Sequence, residues 1–384
     1  MLASALLRQG TYMVPFFRFM TSSPTTSLLQ TPLLQNHLDL GAKVVPFAGW
    51  SMPLDYGSIL EESKVVRAGA GVFDVGHMAR FRFRRENVAQ ELDAALGGRV
   101  EDQPVGMARY TMLLQEDGGI LDDLITYRIS ENEFFMVVNA SNRDRDADIL
   151  RQRISTTSFE DETEDGGGIL ALQGPDSLAM LQSLTGQKDL APPFLGLAFS
   201  DSPFGPLFVA RTGYTGEHGY EIFVTAAQAV PVWKKLLELG ARPVGLGARD
   251  VLRLEAALPL YGHEIHEGVT PFEAGLRFGV RGWKTRDFVG GEALRRLHEE
   301  DTTQRGVVGL SAEKRVPREG YPVLCEGKEV GVVCSGVWSA SLNRPIATAF
   351  LQHGVDGPLT VSARGKEFTV QITDLPFVPH RSRD

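Results

Sequence analysis

Two adjacent acids, Asp122 and Asp123, stand inside "GGILDDLITYRI" (118–129), a run whose Ile, Leu and Tyr content is otherwise that of a β-strand. Neighbouring side chains on a strand project to opposite faces, so Asp122 groups with Ile120, Leu124 and Thr126, and Asp123 with Leu121, Ile125 and Tyr127. Both faces are mostly apolar. Whichever face is core, one carboxylate points inward, where an unpaired charge is costly or its pKa rises. Either an arginine or backbone donors tie it up, or it lines a cavity and does chemistry. The chemistry open to it is proton acceptance, or a fixed negative charge beside a developing cation. Glu221, inside "YEIF" (220–223), is a further acid set in an apolar strand. Arg249 and Arg253 are four apart in "GLGARDVLRLEA" (245–256), share a helix face and are available to pair with these acids.

Other chemistry is weakly signalled. "HEIHE" (263–267) places its histidines three apart, whereas the helical zinc-protease pattern needs four, so no metal site is expected. The glycines of "RTGYTGEHGYEIFV" (211–224) have the wrong spacing for a dinucleotide fingerprint and precede a strand; they shape a hairpin turn in which Glu217 is expected to be solvated. No G-x-S-x-G motif or phosphate-binding loop occurs, which weakens the standard hydrolase and nucleotide-transfer readings.

The elements that must position these residues alternate. Strand-like runs ("RFRFRR", "FFMVVNA", "GILALQG", "PLFVART") interleave with helical ones ("SILEESKVVRAGA", "NVAQELDAALGG", "NRDRDADILRQRI"), which predicts α+β layers, antiparallel sheets with helices on one side. The helix after "YEIFVT" is the best signalled: Thr225 caps it, Gln228 completes a capping box, Val232, Leu236 and Leu239 form its stripe, and Gly240 ends it. "EDETEDGGG" (160–168) reads as a solvated surface turn. From about residue 303 short strands with hairpin turns follow closely with almost no helix, which predicts a small β-barrel domain over 303–384. Cys325 and Cys334 flank one of those hairpins and could face one another.

The chain of 384 residues is long enough for two or three domains, and 43% hydrophobic with 23% charged residues excludes disordered and fibrous classes. A net charge of −9 without a Lys/Arg block argues against nucleic-acid binding, and no apolar stretch is long enough to span a membrane. The first residues are different. Arg8 and Arg18 stand among Leu, Phe, Ser and Thr, and no acid occurs before Asp39, the composition of a mitochondrial presequence over 1–28 and hence of a matrix protein. Removing both arginines takes the charge from −9 to about −11.

"FAGWSMPLDYGSILEE" (47–62), "GVFDVGHM" (71–78), "ARYTMLLQEDGGILDDLI" (108–125), "VVNASNRDRD" (137–146), "LQGPDS" (172–177), "RTGYTGEHGYEI", "GLGARDVLRLEA", "TPFEAGL" (270–276) and the terminal "PFVP" (376–379) occur in one order. In that order they resemble the aminomethyltransferase family, the T-proteins of the glycine cleavage system, over nearly all of 31–379. The resemblance implies three domains around a central hole that holds tetrahydrofolate: a folate-binding catalytic module of two interleaved α+β domains over 29–302, then the barrel. It implies transfer of the aminomethyl carbon from the lipoyl arm of H-protein to tetrahydrofolate, with ammonia released, by a protein acting as a monomer. It also implies roles by position: Asp122 as the essential acid, which also contacts folate, Glu221 as the pterin-binding acid, Arg249 as its partner, and Tyr110 and Met78 as folate-lining residues.

The chain departs from the family pattern at Gly76, where Ser is usual, and after "PFV", where Ser382 stands in place of a Tyr; that aromatic contact is expected to be missing, or replaced by His380 or Arg381. Rival readings share the fold. A folate-binding maturation factor for iron–sulfur enzymes would carry a Cys in the glycine-rich stretch, and "RTGYTGEHGYE" has none. The folate halves of sarcosine and dimethylglycine dehydrogenases follow a long flavin domain, for which this chain has no room. A methyltransferase acting on a small sulfur compound is not excluded by length.

Overall fold

The computed structural model describes residues 27–154, 159–300 and 303–383; the expected presequence lies outside these residues but for its last two positions. Two antiparallel layers carry the site. The first is a five-stranded sheet in the order Met107–Leu114, Ile120–Ser130, Glu133–Val138, Ala79–Arg84, Glu160–Asp161. The helices Val88–Ala95 and Arg143–Arg153 cover its outer face, where Leu92, Ala147 and Leu150 close over Phe81, Leu124, Phe134 and Met136. The second sheet has six strands, Leu197–Ser200, Leu207–Ala210, Gly219–Val224, Gly168–Gln173, Gly71–Asp74 and Arg242–Pro243, of which the last pair is parallel. Its outer face is covered by the helices Ser177–Thr185 and Ala226–Glu238.

The inner faces of the two sheets meet. Tyr127, Phe135 and Val137 of the first pack on Phe73, Ala171 and Ala210 of the second, and Ala248 and Leu252 of the helix Leu246–Glu255 close one end. Each large side chain buried there contributes about 1.5–3 kcal/mol. The result is a helix–sheet–sheet–helix stack, the α+β class expected from the alternation of strand and helix patterns. The central strands of both sheets are therefore largely covered on both faces.

The helix Ala226–Glu238 forms as its signals predict: the Thr225 N–H donates to Gln228 Oε1 at 3.0 Å, Val232 and Leu236 are fully buried, and Gly240 takes φ +100° just past the end. The C-terminal strands close into a barrel in the order Arg305–Ser311, Arg344–Gln352, Lys328–Ser339, Pro322–Cys325, Leu359–Ala363, Lys366–Thr373. It docks on the helix Leu246–Glu255, whose Val251 and Leu254 pack against Val337, Ile346 and Phe377. Within the barrel hairpin Cys325 pairs with Lys328 while Cys334 sits in a bulge further along, so the two cysteines do not face each other and both are free thiols.

Three local expectations are corrected. Glu217 is buried: the turn around it folds against the helix Ile59–Ala68, where Arg67 Nη1 donates to Glu217 at 2.9 Å and Nη2 to Glu255 at 2.8 Å. Gly216 at φ +74° permits this closeness, because a Cβ there would lie 2.8 Å from that of Ala256. The acidic loop 160–168 is more than a solvated turn, since its backbone wraps the buried Arg80 guanidinium through Glu162 O at 2.8 Å and Thr163 O at 2.9 Å. Arg253 reaches none of the site acids; it is tied to Asp250 at 2.8 Å, Glu264 at 3.1 Å and Ser335 Oγ at 2.8 Å on the barrel.

Candidate active site

The hairpin Met107–Leu114/Ile120–Ser130 turns through Gly118 and Gly119, where a Cβ on Gly119 would stand 2.1 Å from Glu267 O. Leu113 pairs with Asp122 and Leu114 with Ile120, so Leu121 is an extra residue and the strand bulges immediately before the two acids. Beyond the bulge Asp122 faces the helix layer and Asp123 faces the second sheet, on the same side as Ile125 and Tyr127. The alternation along the strand left the choice of face open, and the structure turns Asp123 toward the second sheet. Asp122 is fully buried and accepts from the Asn139 backbone N–H at 3.1 Å, Asn139 Nδ2 at 2.8 Å and Asn142 Nδ2 at 2.6 Å.

Asp123 is only half-buried. Tyr110 OH donates to its Oδ2 at 3.0 Å and Asn139 Nδ2 to its Oδ1 at 2.8 Å. Burial, then the neighbouring charge of Asp122, pushes its pKa up to about 7, against the opposing pull of those two bonds. Asn139 ends the Glu133–Val138 strand and clamps both acids with one side chain; nothing in its type or spacing had marked it out.

Glu221 projects from the middle of the second sheet toward the first and is half-buried; it accepts from Thr212 Oγ1 at 2.5 Å and Tyr127 OH at 3.2 Å. Tyr127 lies on the face that carries Asp123, so the two acids project into the same inter-sheet layer. The guanidinium of Arg249, also half-buried, makes no ion pair or hydrogen bond among the described residues and rests over the Tyr214 ring at 4.6 Å. Burial lowers its pKa, while the neighbouring Tyr214 and Glu221 oppose the fall. Met78 is half-buried in the inter-sheet cluster, and Phe278 stands over Tyr110 with ring centres 5.5 Å apart. Beside them His77 is buried, its pKa pushed down to about 4 by desolvation and by the Arg249 charge.

The combination is telling. Asp123, Tyr110, Tyr214, Glu221 and Arg249 all retain accessible surface, yet burial is the largest cause of the shifts at Asp123, Tyr110, Tyr214 and Arg249. We infer from side chains that are desolvated yet not fully covered that they line a recess. Its walls hold an acid at each end and one guanidinium without a carboxylate partner, a lining suited to a polar, flat, hydrogen-bonding ligand that carries or develops positive charge. The terminal segment ends beside this region: the Arg381 N–H donates to Gly216 O at 2.8 Å and its guanidinium to Glu217 at 3.5 Å, while His380 Nε2 meets Ala256 O at 2.7 Å.

Residues 33–284 match the family described as the GCVT N-terminal domain, and residues 305–379 the glycine cleavage T-protein C-terminal barrel domain. This chain belongs to the glycine cleavage T-protein family. Among its similar relatives is an aminomethyltransferase of Thermus thermophilus, 43% identical over 354 residues that cover 91% of this chain and 99% of the relative. An aminomethyltransferase of Streptomyces avermitilis is 44% identical over 354 residues, covering 89% and 95%. The crystal structure of the glycine cleavage system aminomethyltransferase T from Bartonella henselae superposes with a TM-score of 0.86 at 34% identity, covering 92% of this family member and 99% of that chain.

Proposed function

We propose that this chain is an aminomethyltransferase that moves the aminomethyl carbon from the lipoyl arm of H-protein to tetrahydrofolate. Folate N5 and N10 each form a bond to the methylene carbon and lose a proton, the C–S and C–N bonds break, and the products are 5,10-methylenetetrahydrofolate, the lipoyl thiol and ammonium. The carbon passes through an iminium-like cation. Asp123 is the residue placed to stabilise it, as a carboxylate held by Tyr110 and Asn139 at the edge of a poorly solvated recess, where a fixed charge acts far more strongly than in water. Glu221 suits the donor edge of the pterin, since a carboxylate accepts two parallel N–H bonds, and Arg249 balances that acid and contacts the ligand. Met78, Tyr110 and Phe278 supply ring-facing surface. Asp122, assigned the essential role from the resemblance, acts here from beneath by fixing Asn139.

The observation that carries this reading is the half-buried Asp123 near Tyr214, which also neighbours an Arg249 that faces Glu221 and whose guanidinium has no carboxylate partner among the described residues. It is tested by mixing the protein with tetrahydrofolate and aminomethyl-loaded H-protein and measuring ammonia. Ammonia is expected; silence with folate still bound overturns the transfer reading. The reading extends to a module over 29–302 that binds folate, a barrel over 303–384, action as a monomer, and a basic presequence over 1–28 that directs the chain to the mitochondrial matrix. The N-terminus of the mature protein tests the last point.

A further inference from the structure

Beneath the recess lies a second carboxylate that the transfer chemistry does not use. Asp146 stands in the first turn of the helix Arg143–Arg153, facing Asp122, and is fully buried. Among the described residues neither of its oxygens has a hydrogen-bond donor within reach, an arrangement that an ionised carboxylate does not tolerate. Asp122, by contrast, receives three N–H donors, from the Asn139 backbone and side chain and from Asn142. Two carboxylates in contact do not both ionise, and the charge settles on the one with the donors.

The other groups facing Asp146 do not change this balance. Arg145 Nε approaches Asp146 Oδ1 only to 3.8 Å, and its guanidinium is spent on Leu121 O, on Tyr261 OH at 3.0 Å and on Glu267 at 2.6 Å. Arg153, further along the same helix, donates to Ala95 O at 3.1 Å and Leu114 O at 2.6 Å. From the strand side the facing charges are Asp122 and Asp123, both acidic.

We propose that Asp146 is a neutral carboxylic acid in the working enzyme, donating its proton to Asp122, and that the single charge so held on Asp122 positions Asn139 and sets the field at Asp123. Asp146 is thus a positioning residue for the transfer, an inference that rests on the role given to Asp123 above. The link runs through one amide: Asn139 Nδ2 lies 2.8 Å from Asp122 Oδ1 and 2.8 Å from Asp123 Oδ1. Burial, followed by the charge of Asp122, pushes the Asp146 pKa up to about 11, in accord with the donor pattern.

The experiment is an infrared comparison of the full chain and Asp146→Asn at about pH 8.5, where Asp123 is ionised. The expected result is a protonated-carboxyl C=O band, sensitive to deuteration, present in the parent and absent from the variant. Acid limbs of ammonia release then test the coupling. Asp146→Asn keeps a donor, so its limb stays within about half a pH unit; Asp146→Leu takes a donor from Asp122 and raises its pKa, which relieves Asp123 and moves the limb down by about one unit. A packing role alone moves neither limb. The proposal is overturned if the parent lacks the band, or if Asp146→Asn shifts its limb by more than about one unit. Should Asp146→Leu not fold, the band and the Asn limb decide. The infrared measurement needs no substrate, so its failure is distinct from failure of the transfer reading, which shows as absent ammonia.

Discussion

Replacing Asp123 by Asn separates stability from function. In the folded protein this carboxyl keeps its proton until about pH 7, whereas in the unfolded chain it ionises near 3.8. Between those values the folded state binds more protons, so the stability it contributes is full below about pH 3.8 and is lost as pH rises through 7. A difference of about three pH units corresponds to a ceiling of about 4 kcal/mol at about 1.4 kcal/mol per unit. Solvent reaching the half-buried group screens part of it, leaving about 2–4 kcal/mol. Asn has no charge to desolvate, and its Oδ1 still accepts from Asn139 while its Nδ2 meets the Tyr110 oxygen. Asp123→Asn is therefore expected to be more stable than the parent at pH 8 by about 2–4 kcal/mol, with the advantage shrinking toward zero near pH 4, while ammonia release falls by about 100-fold or more. Calorimetric midpoints across that range, with the ammonia assay alongside, give both readouts. A pH-independent change in midpoint, or an Asn variant that turns over normally, would remove Asp123 from the role assigned to it.

Three further outcomes are expected. Glu221→Gln keeps the bonds from Thr212 and Tyr127 but loses the charged acceptor, weakening folate binding by about 10–100-fold in a fluorescence titration; unchanged affinity would place the pterin elsewhere. Arg67→Met takes the shared cation from Glu217 and Glu255, whose side chains are fully buried, and is expected to cost about 3–5 kcal/mol in unfolding experiments, with part recovered when Glu217→Gln is added; a neutral single variant would show that the hub is dispensable. His77, held near a pKa of about 4, gives a neutral imidazole signature by NMR at pH 6, and Arg249→Met raises its pKa; titration of the parent near its ordinary value would contradict the burial described.

Much of this molecule is legible along the chain because its signals are local. The Thr225/Gln228 box, the Val232 and Leu236 stripe and Gly240 define one helix within a dozen residues, and the hairpin spacing after residue 303 defines the barrel strands. Acids in apolar strands are legible too, so Asp122, Asp123 and Glu221 stand out from composition alone. Asn139 and Asp146 do not, since an Asn after a strand and an Asp in a helix's first turn are ordinary surface choices.

Which aspartate faces the recess is a different matter. Alternation tells two faces of a strand apart only when one is fully exposed, and the Ile120–Ser130 strand is largely covered on both, helices closing one side and a second sheet most of the other. The Leu121 bulge adds a residue just where the count matters. The partners of Glu217, from Arg67 about 150 positions earlier and Arg381 far later, are likewise beyond any local pattern. Residue order alone determined the elements, the barrel and the family, because caps, turns and periodicity act within a few residues. The tertiary structure alone decided the orientation of the two acids and the sharing of a proton beneath them, because burial and charge proximity depend on segments that meet only when the layers stack.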